Sequence, residues 1–378
     1  MVESTDRISL FEIDWDQHDI THAVESIGRG GYWAKGPYVS KFESKLEDFF
    51  GVDHALVVNS GTTALVAALE SLGIGRGDEV IVPSFTFIAT ANAVKLVGAE
   101  PVFADIESRT YGLDPENVRS RITDDTAAIL PVHCYGTSCQ IEELGEVADN
   151  HDLHLVEDAA EVFGAEYRGQ LLGTFGDIAA LSFCQNKILP TGEGGAVITD
   201  DDDLAEEIRL HRSHGRASSN YFENADSGEY VDVGTNIRMS DLTAAIGCSQ
   251  FERVDSLIDG RQKAAKRVND GLADVDGVSP HEPLEEATHV YQLYTVELAE
   301  TINRDEVIET LDEHGIASKV YWDPAVHRTK CYREEKDEVP ELPVTEDISS
   351  RVLSLPMYPN LSPQETSRIV DAVATAVE

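Results

Sequence analysis

Lys187 sits in the run LSFCQNKILPTGEGGAVI, just past an apolar stretch and just before Gly192-Glu193-Gly194-Gly195. A lysine on a turn between apolar runs is drawn partly out of water. A buried ammonium is costly unless it is paired or deprotonated, and the deprotonated amine is the form that makes Schiff bases with carbonyls. Alone, such a lysine reads more simply as a loop residue. Asp158 changes that. The run LHLVED ends a strand-like stretch in two carboxylates, with small Ala159 and Ala160 behind them. An acid there can serve merely as a helix N-terminal residue favoured by the dipole. A pyridoxal 5'-phosphate (PLP) site, however, needs a carboxylate on the pyridine nitrogen and a lysine elsewhere on the same sheet edge. Asp158 and Lys187, 29 residues apart, meet that need. A third part is Asn59-Ser60-Gly61-Thr62-Thr63-Ala64-Leu65, a strand-to-helix junction. Gly61 allows close backbone approach, and the helix start offers free N–H groups to an anion. The plain alternative is an N-cap, and the stretch lacks the downstream Lys-Ser/Thr of a P-loop.

The elements around these residues alternate. HALVVN (54–59), Glu79 to Val82, Pro101 to Phe103, Thr126 to Val132, Leu153 to Val156, Asp177 to Phe183 and Gly194 to Thr199 read as strands. Gly61 to Leu72, Ile88 to Val97 and Ile141 to Asn150 read as helices between them. That alternation means βαβ units and an α/β fold with a mostly parallel sheet flanked by helices. Ligands then bind beyond the carboxyl ends of the strands. This points at Asn59-Ser60-Gly61, Glu157-Asp158 and Ser182-Phe183. After about residue 238 the pattern changes. Met239 to Val268 reads as one long helical stretch, interrupted near Gly260 at most. A strand-like 289–298, a helix from Arg304 to His314 and a last amphipathic helix from Pro363 to Val377 follow. We expect a large domain over 1–255 and a smaller α+β domain over 256–378.

With 70 Asp and Glu against 29 Lys and Arg, the 378 residues carry a formal charge of −41. A phosphate backbone would be repelled, so nucleic acid is not an expected partner. Only ten cations are lysine. Such a Lys-poor acidic chain resembles proteins of salt-accumulating halophiles, whose self-repulsion is screened over about 3 Å at 1 M salt. There is no apolar run of about 18 residues, so no membrane span is expected, and the acidic start is no secretory signal. Cys134, Cys139, Cys184, Cys248 and Cys331 are scattered without CxxC pairs, as expected of free thiols in a cytoplasmic protein.

NSGTTAL, PSFTFIATANAV, EDAAE, GTFGDIAALSFCQNK, TGEGG, GTNIRMSDLTAAIG and LPMYPNLS occur in the order seen in the DegT/DnrJ/StrS sugar aminotransferase family. The resemblance runs from about Gly36 to the C-terminus. It implies a fold-type I PLP enzyme that acts as a homodimer with a shared active site. Carried over by position, it implies that Lys187 holds the cofactor and shuttles protons. Asp158 pairs with the pyridinium nitrogen, and Glu161 lies near the pyridoxal hydroxyl. Gly61, Thr62 and Ser182 hold the phosphate, Phe87 stacks on the ring, and Asn236 reaches the phosphate from the partner subunit. Glu161 in EDAAE together with NKILPTGEGG most resembles the perosamine-synthase type. Those enzymes aminate C4 of a nucleotide-linked 4-keto-6-deoxyhexose for glycan assembly, with an amino-acid donor, usually L-glutamate. A 3-keto-sugar, a cyclitol ketone or an aminohydroxybenzoate precursor stays open as acceptor. So does a regulatory homologue without turnover, although intact Lys187 and Asp158 speak against that.

Among the weaker signals, His211 with His214 reads as the polar end of a helix rather than a metal pair. His133, Cys134 and Cys139 lack zinc spacing. Tyr321, Trp322 and His327 either pack a loop or line the sugar-nucleotide pocket. Arg212, Arg216, Arg238 and Lys319 are candidates for a substrate pyrophosphate, and the sequence ranks none above the others. The acidic runs 199–203 and 333–338 read as solvated surface.

Overall fold

The computed structural model describes residues 7–217, 228–334 and 339–378. Part of the second acidic run, 335–338, lies outside them. The strands are β1 His54–Val58, β2 Glu79–Pro83, β3 Glu100–Ala104, β4 Thr126–Ile129, β5 His154–Asp158, β6 Glu166–Tyr167, β7 Gln170–Leu171, β8 Ile178–Ser182, β9 Gly195–Thr199, β10 Val278–Pro280, β11 Tyr294–Leu298 and β12 Val352–Leu355. Seven form the main sheet in the order β1-β9-β8-β5-β4-β2-β3. Only β9 runs against its neighbours, pairing antiparallel with both β1 and β8. This is the mostly parallel α/β sheet expected from the alternation.

Both faces are covered, and the strand period decides which residue goes where. Val57, Ile81, Ile129 and Leu155 enter one core with Phe42, Phe163 and Phe183. Their neighbours Leu56, Val58, Val80, Val82, Ala128 and Val156 enter the other, under helices Gly61–Ser71 and Ala89–Val97. A separate core holds the three-stranded sheet β10-β11-β12 against helices Val254–Leu272, Arg304–Glu313 and Pro363–Val377. Ile8 joins this third core, hydrogen-bonding Gly315 and Ala317 through its backbone. The N-terminal segment thus straps the C-terminal unit.

The expected long helix after Met239 is two helices, Asp241–Phe251 and Val254–Leu272. The break falls at Glu252–Arg253, where Arg253 reaches Asp19 of the N-terminal segment at 2.9 Å and also pairs with Asp14. Gly260 does not interrupt the second helix. A Cβ there would lie 2.7 Å from the Pro359 carbonyl oxygen, so glycine serves close approach rather than a turn.

The two carboxylates ending β5 point to opposite faces. Glu157, fully buried, accepts from the backbone N–H groups of Gly173 (2.8 Å), Phe175 (2.7 Å) and Gly176 (2.8 Å). Its fourth donor is His133 Nε2 at 2.9 Å, while His133 Nδ1 accepts from the Cys139 N–H at 3.3 Å. Glu157 therefore fastens the loop ahead of β8 to the sheet. Glu157→Ala leaves four donors unpaired, those of Gly173 and His133 buried and those of Phe175 and Gly176 half-buried, and each buried one costs about 1–3 kcal/mol. We expect a loss of at least ~3 kcal/mol, read as a lowered urea midpoint. An unchanged midpoint would contradict this role.

Candidate active site

Asp158, on the other face, is 5% exposed and opens onto a cavity of about 370 Å³ beyond the strand ends. Gly61, Thr62, Phe87, Glu161, Ser182 and Lys187 line the same cavity. Seven of the eight residues singled out from sequence thus come together within one chain.

Each is set by its element. β1 runs into helix Gly61–Ser71, whose N-cap Ser60 accepts from the Thr63 N–H at 3.2 Å. That bond, with Ala64 N–H on the Ser60 carbonyl, leaves the N–H groups of Gly61 and Thr62 for an anion. A Cβ on Gly61 would lie 2.8 Å from the Ser182 Cβ, so glycine lets the helix start meet the end of β8. Phe87 is 60% exposed, a large ring standing in the cavity mouth rather than in the core. Lys187 Nζ lies 3.3 Å from Glu161 Oε1. The other Glu161 oxygen accepts from the Tyr135 N–H at 2.9 Å. Tyr135 stacks on Trp322, with ring centroids 5.4 Å apart, and its hydroxyl donates to the Tyr321 carbonyl. The 321–322 loop therefore walls the cavity and backs Glu161. His327 instead bonds Ser84 at 2.6 Å and Glu346 at 3.1 Å and belongs to the packing.

Burial pushes the Asp158 carboxyl up. Hydrogen bonds from Thr90 and from the Ala160 N–H, and then the Lys187 ammonium, work against that, while Glu161 adds to it. Thr90 Oγ1 donates to Asp158 Oδ2 at 2.8 Å. Sequence reading missed Thr90, although its spacing of four from Thr86 in PSFTFIATANAV is visible.

Asn236 lies outside the cavity. It is exposed, on a segment whose backbone bridges Ser213. Nearby, Lys35, Arg212, Arg216 and Arg238 line a second cavity of about 270 Å³. Arg212 also pairs with Glu43 at 2.6 Å, and Arg238 donates to Ser213 Oγ at 3.1 Å. Burial and the three guanidiniums hold the Lys35 ammonium below its usual range. Lys319 is elsewhere, its backbone paired with Ser354. His211 pairs with Glu70 at 2.6 Å, and no metal-binding cluster occurs among the described residues. No helix among them is long and apolar enough to cross a membrane.

A PLP-shaped group fits the first cavity. Its parts are an anion-ready helix start kept open by glycine, a buried carboxylate with free lone pairs, an amine and an exposed ring. Comparisons with known proteins give the family. Residues 15–374 match the DegT/DnrJ/EryC1/StrS aminotransferase family. The chain is 39% identical over 371 residues to the GDP-perosamine synthase of Caulobacter vibrioides, covering 97% of each chain. It is 38% identical over 352 residues to the dTDP-3-amino-3,4,6-trideoxy-alpha-D-glucose transaminase of Streptomyces venezuelae, covering 93% of this chain and 90% of the relative. Among solved structures, S. venezuelae DesV in complex with a ketimine intermediate superposes with a TM-score of 0.92, at 36% identity and covering 99% of both chains.

Proposed function

The chain belongs to the DegT/DnrJ/EryC1/StrS aminotransferase family and is a pyridoxal-phosphate enzyme, and from that premise we propose that it transfers an amino group from L-glutamate to C4 of a nucleotide-linked 4-keto-6-deoxyhexose. The gathering of Lys187, Glu161, Asp158 and Phe87 around one cavity carries the aminotransferase part of this reading, and the likeness to the Caulobacter GDP-perosamine synthase favours the 4-keto acceptor. Bound there, the cofactor supplies an electron sink for the charge left at the donor Cα. The protein supplies the rest. The N–H groups of Gly61 and Thr62 and the Ser182 hydroxyl take the phosphate. Phe87 covers one ring face, and Asp158 keeps a proton on the ring nitrogen. Lys187 Nζ is the amine that would hold the cofactor and would take the proton from the donor Cα. Glu161, 3.3 Å away, orients that amine.

The cationic cavity supports a phosphate-bearing acceptor. In a chain of net charge −41, Lys35, Arg212, Arg216 and Arg238 face one hollow. It shares no lining residue with the Lys187 cavity of the same chain. Asn236 borders it through Ser213. Both features favour a homodimer in which each copy's Asn236 and cationic cavity complete the other copy's site. The exposed apolar residues Ile20, Val24 and Ile27 on helix Gln17–Gly28, with Trp33 beyond it, fit burial by a second copy. The Streptomyces relative's name favours a second reading, amination at C3.

The test is a visible spectrum of the PLP-loaded protein in high salt, before and after L-glutamate. It is followed by 4-keto and 3-keto 6-deoxyhexoses on GDP and dTDP. Bleaching by glutamate and recovery of the band with the 4-keto sugar alone is expected. Recovery only with a 3-keto sugar would move the assignment to C3, and no bleaching by glutamate would remove the donor.

A further inference from the structure

We propose that Thr90 is a positioning residue: its hydroxyl, fed by that of Thr86, fixes the Asp158 carboxylate and holds negative charge on it toward the ring nitrogen of the cofactor. The proposal rests on the assignment of Asp158 to that nitrogen.

Both hydroxyls are buried, Thr86 at 2% and Thr90 at 1% exposure. Thr90 Oγ1 lies 2.8 Å from Asp158 Oδ2, and Thr86 Oγ1 lies 2.9 Å from Thr90 Oγ1. An ionised carboxylate only accepts. Thr90 must therefore spend its single proton on Asp158, and Thr86 must donate to Thr90. The chain has one direction, Thr86 to Thr90 to Asp158, and each bond polarises the next. Asp158 Oδ1 takes the Ala160 N–H at 3.2 Å. Among the described residues these are the donors to the carboxylate, one to each oxygen. The remaining lone pairs are left for the cofactor.

The placement in the fold has its own logic. Thr86, Phe87 and Thr90 belong to one turn leading into helix Ala89–Val97. Thr90 reaches Asp158 at the end of β5, Thr86 reaches Thr90, and both border the cavity in which Phe87 stands. One turn thus sets both the group proposed for the ring face and the acid proposed for the ring nitrogen. A helical threonine ordinarily satisfies its hydroxyl on the carbonyl four residues back. Thr90 instead turns its proton to a side chain 68 residues away in sequence.

Without the Thr90 donor the carboxylate holds a proton more tightly and draws it off the ring nitrogen. A neutral ring is a weaker electron sink and loses an ion pair with Asp158. The test uses the full-length chain, stripped of PLP and reloaded. Thr90→Val removes the hydroxyl and keeps the branching, Thr90→Ser keeps the hydroxyl, and Thr86→Val removes only the feeder. PLP affinity is read by equilibrium dialysis, and the donor half-reaction by bleaching with L-glutamate. Thr90→Val is expected to weaken affinity and slow bleaching, each by roughly 10–100-fold. Thr86→Val should move both in the same direction by less, and Thr90→Ser should restore both. Parent-like values for Thr90→Val would overturn the proposal. So would Thr90→Ser failing as badly as Thr90→Val, because the methyl would then be what matters. Asp158→Asn run alongside separates the two levels: PLP affinity unchanged in that variant would remove the Asp158 assignment itself.

Discussion

Lys187→Ala should lose at least about 10²–10⁴-fold in turnover, the share that a positioned acid–base group alone supplies. The amine is asked to do two things, and alanine does neither. In the proposed reaction it would hold the cofactor and would carry the proton away from the donor Cα. Its place in the structure suits both tasks. Nζ lies beside Glu161, and Lys187 lines one cavity with Ser182 at the end of β8 and Asp158 at the end of β5. Lys187→Arg should be no better, because a guanidinium stays protonated and cannot serve as a nucleophile or base. The non-kinetic readout is covalent attachment. Borohydride treatment of the loaded parent should leave the cofactor on the peptide containing Lys187, read by mass. The alanine variant should bind PLP through its phosphate contacts yet give no adduct. An alanine variant that turned over within tenfold of the parent would remove Lys187 from the reaction.

The parts of this site legible in the sequence are those that sit at strand ends. Lys187, Asp158 and the Gly61 turn could be placed because an alternating pattern fixes where strands stop, and a parallel sheet gathers those stops on one edge. Relations that cross the fold were not legible. That Glu157 and Asp158 face opposite ways follows from the two-residue period. That Glu157 grips the 173–176 loop while Asp158 meets Thr90 depends on partners far away in sequence. The basic candidates show the same limit. Nothing local distinguishes Arg212, Arg216 and Arg238 from Lys319, yet folding gathers the first three around Lys35 and leaves Lys319 on the small sheet's edge. The helix break at Glu252–Arg253 escaped the periodicity for the same reason. Its anchors are Asp14 and Asp19, more than two hundred residues earlier.

Asp158→Asn separates what this carboxylate does for the reaction from what it does to the fold. The donor half-reaction should slow by about 10²–10³-fold, the scale for losing one preorganised group aimed at developing charge. An amide can donate to a neutral ring nitrogen but cannot hold a proton there. Stability should move the other way. Burial raises the Asp158 carboxyl above its ordinary value of 3.8. An acid whose affinity for the proton rises on folding destabilises the folded state at every pH above its folded value, and that cost vanishes below the unfolded one. Asparagine escapes the cost and can still be satisfied. Its oxygen takes the Ala160 N–H, its amide donates to Thr90, and the Thr90–Thr86 pair reverses direction. The cofactor-free Asp158→Asn protein should therefore match or exceed the parent's urea midpoint at pH 7, and its advantage should shrink as the pH falls toward the ordinary carboxylate range. A variant that is both slow and clearly less stable than the parent at pH 7 would mean that the carboxylate is held for packing. A variant that is slow and stable places its charge in the service of the cofactor.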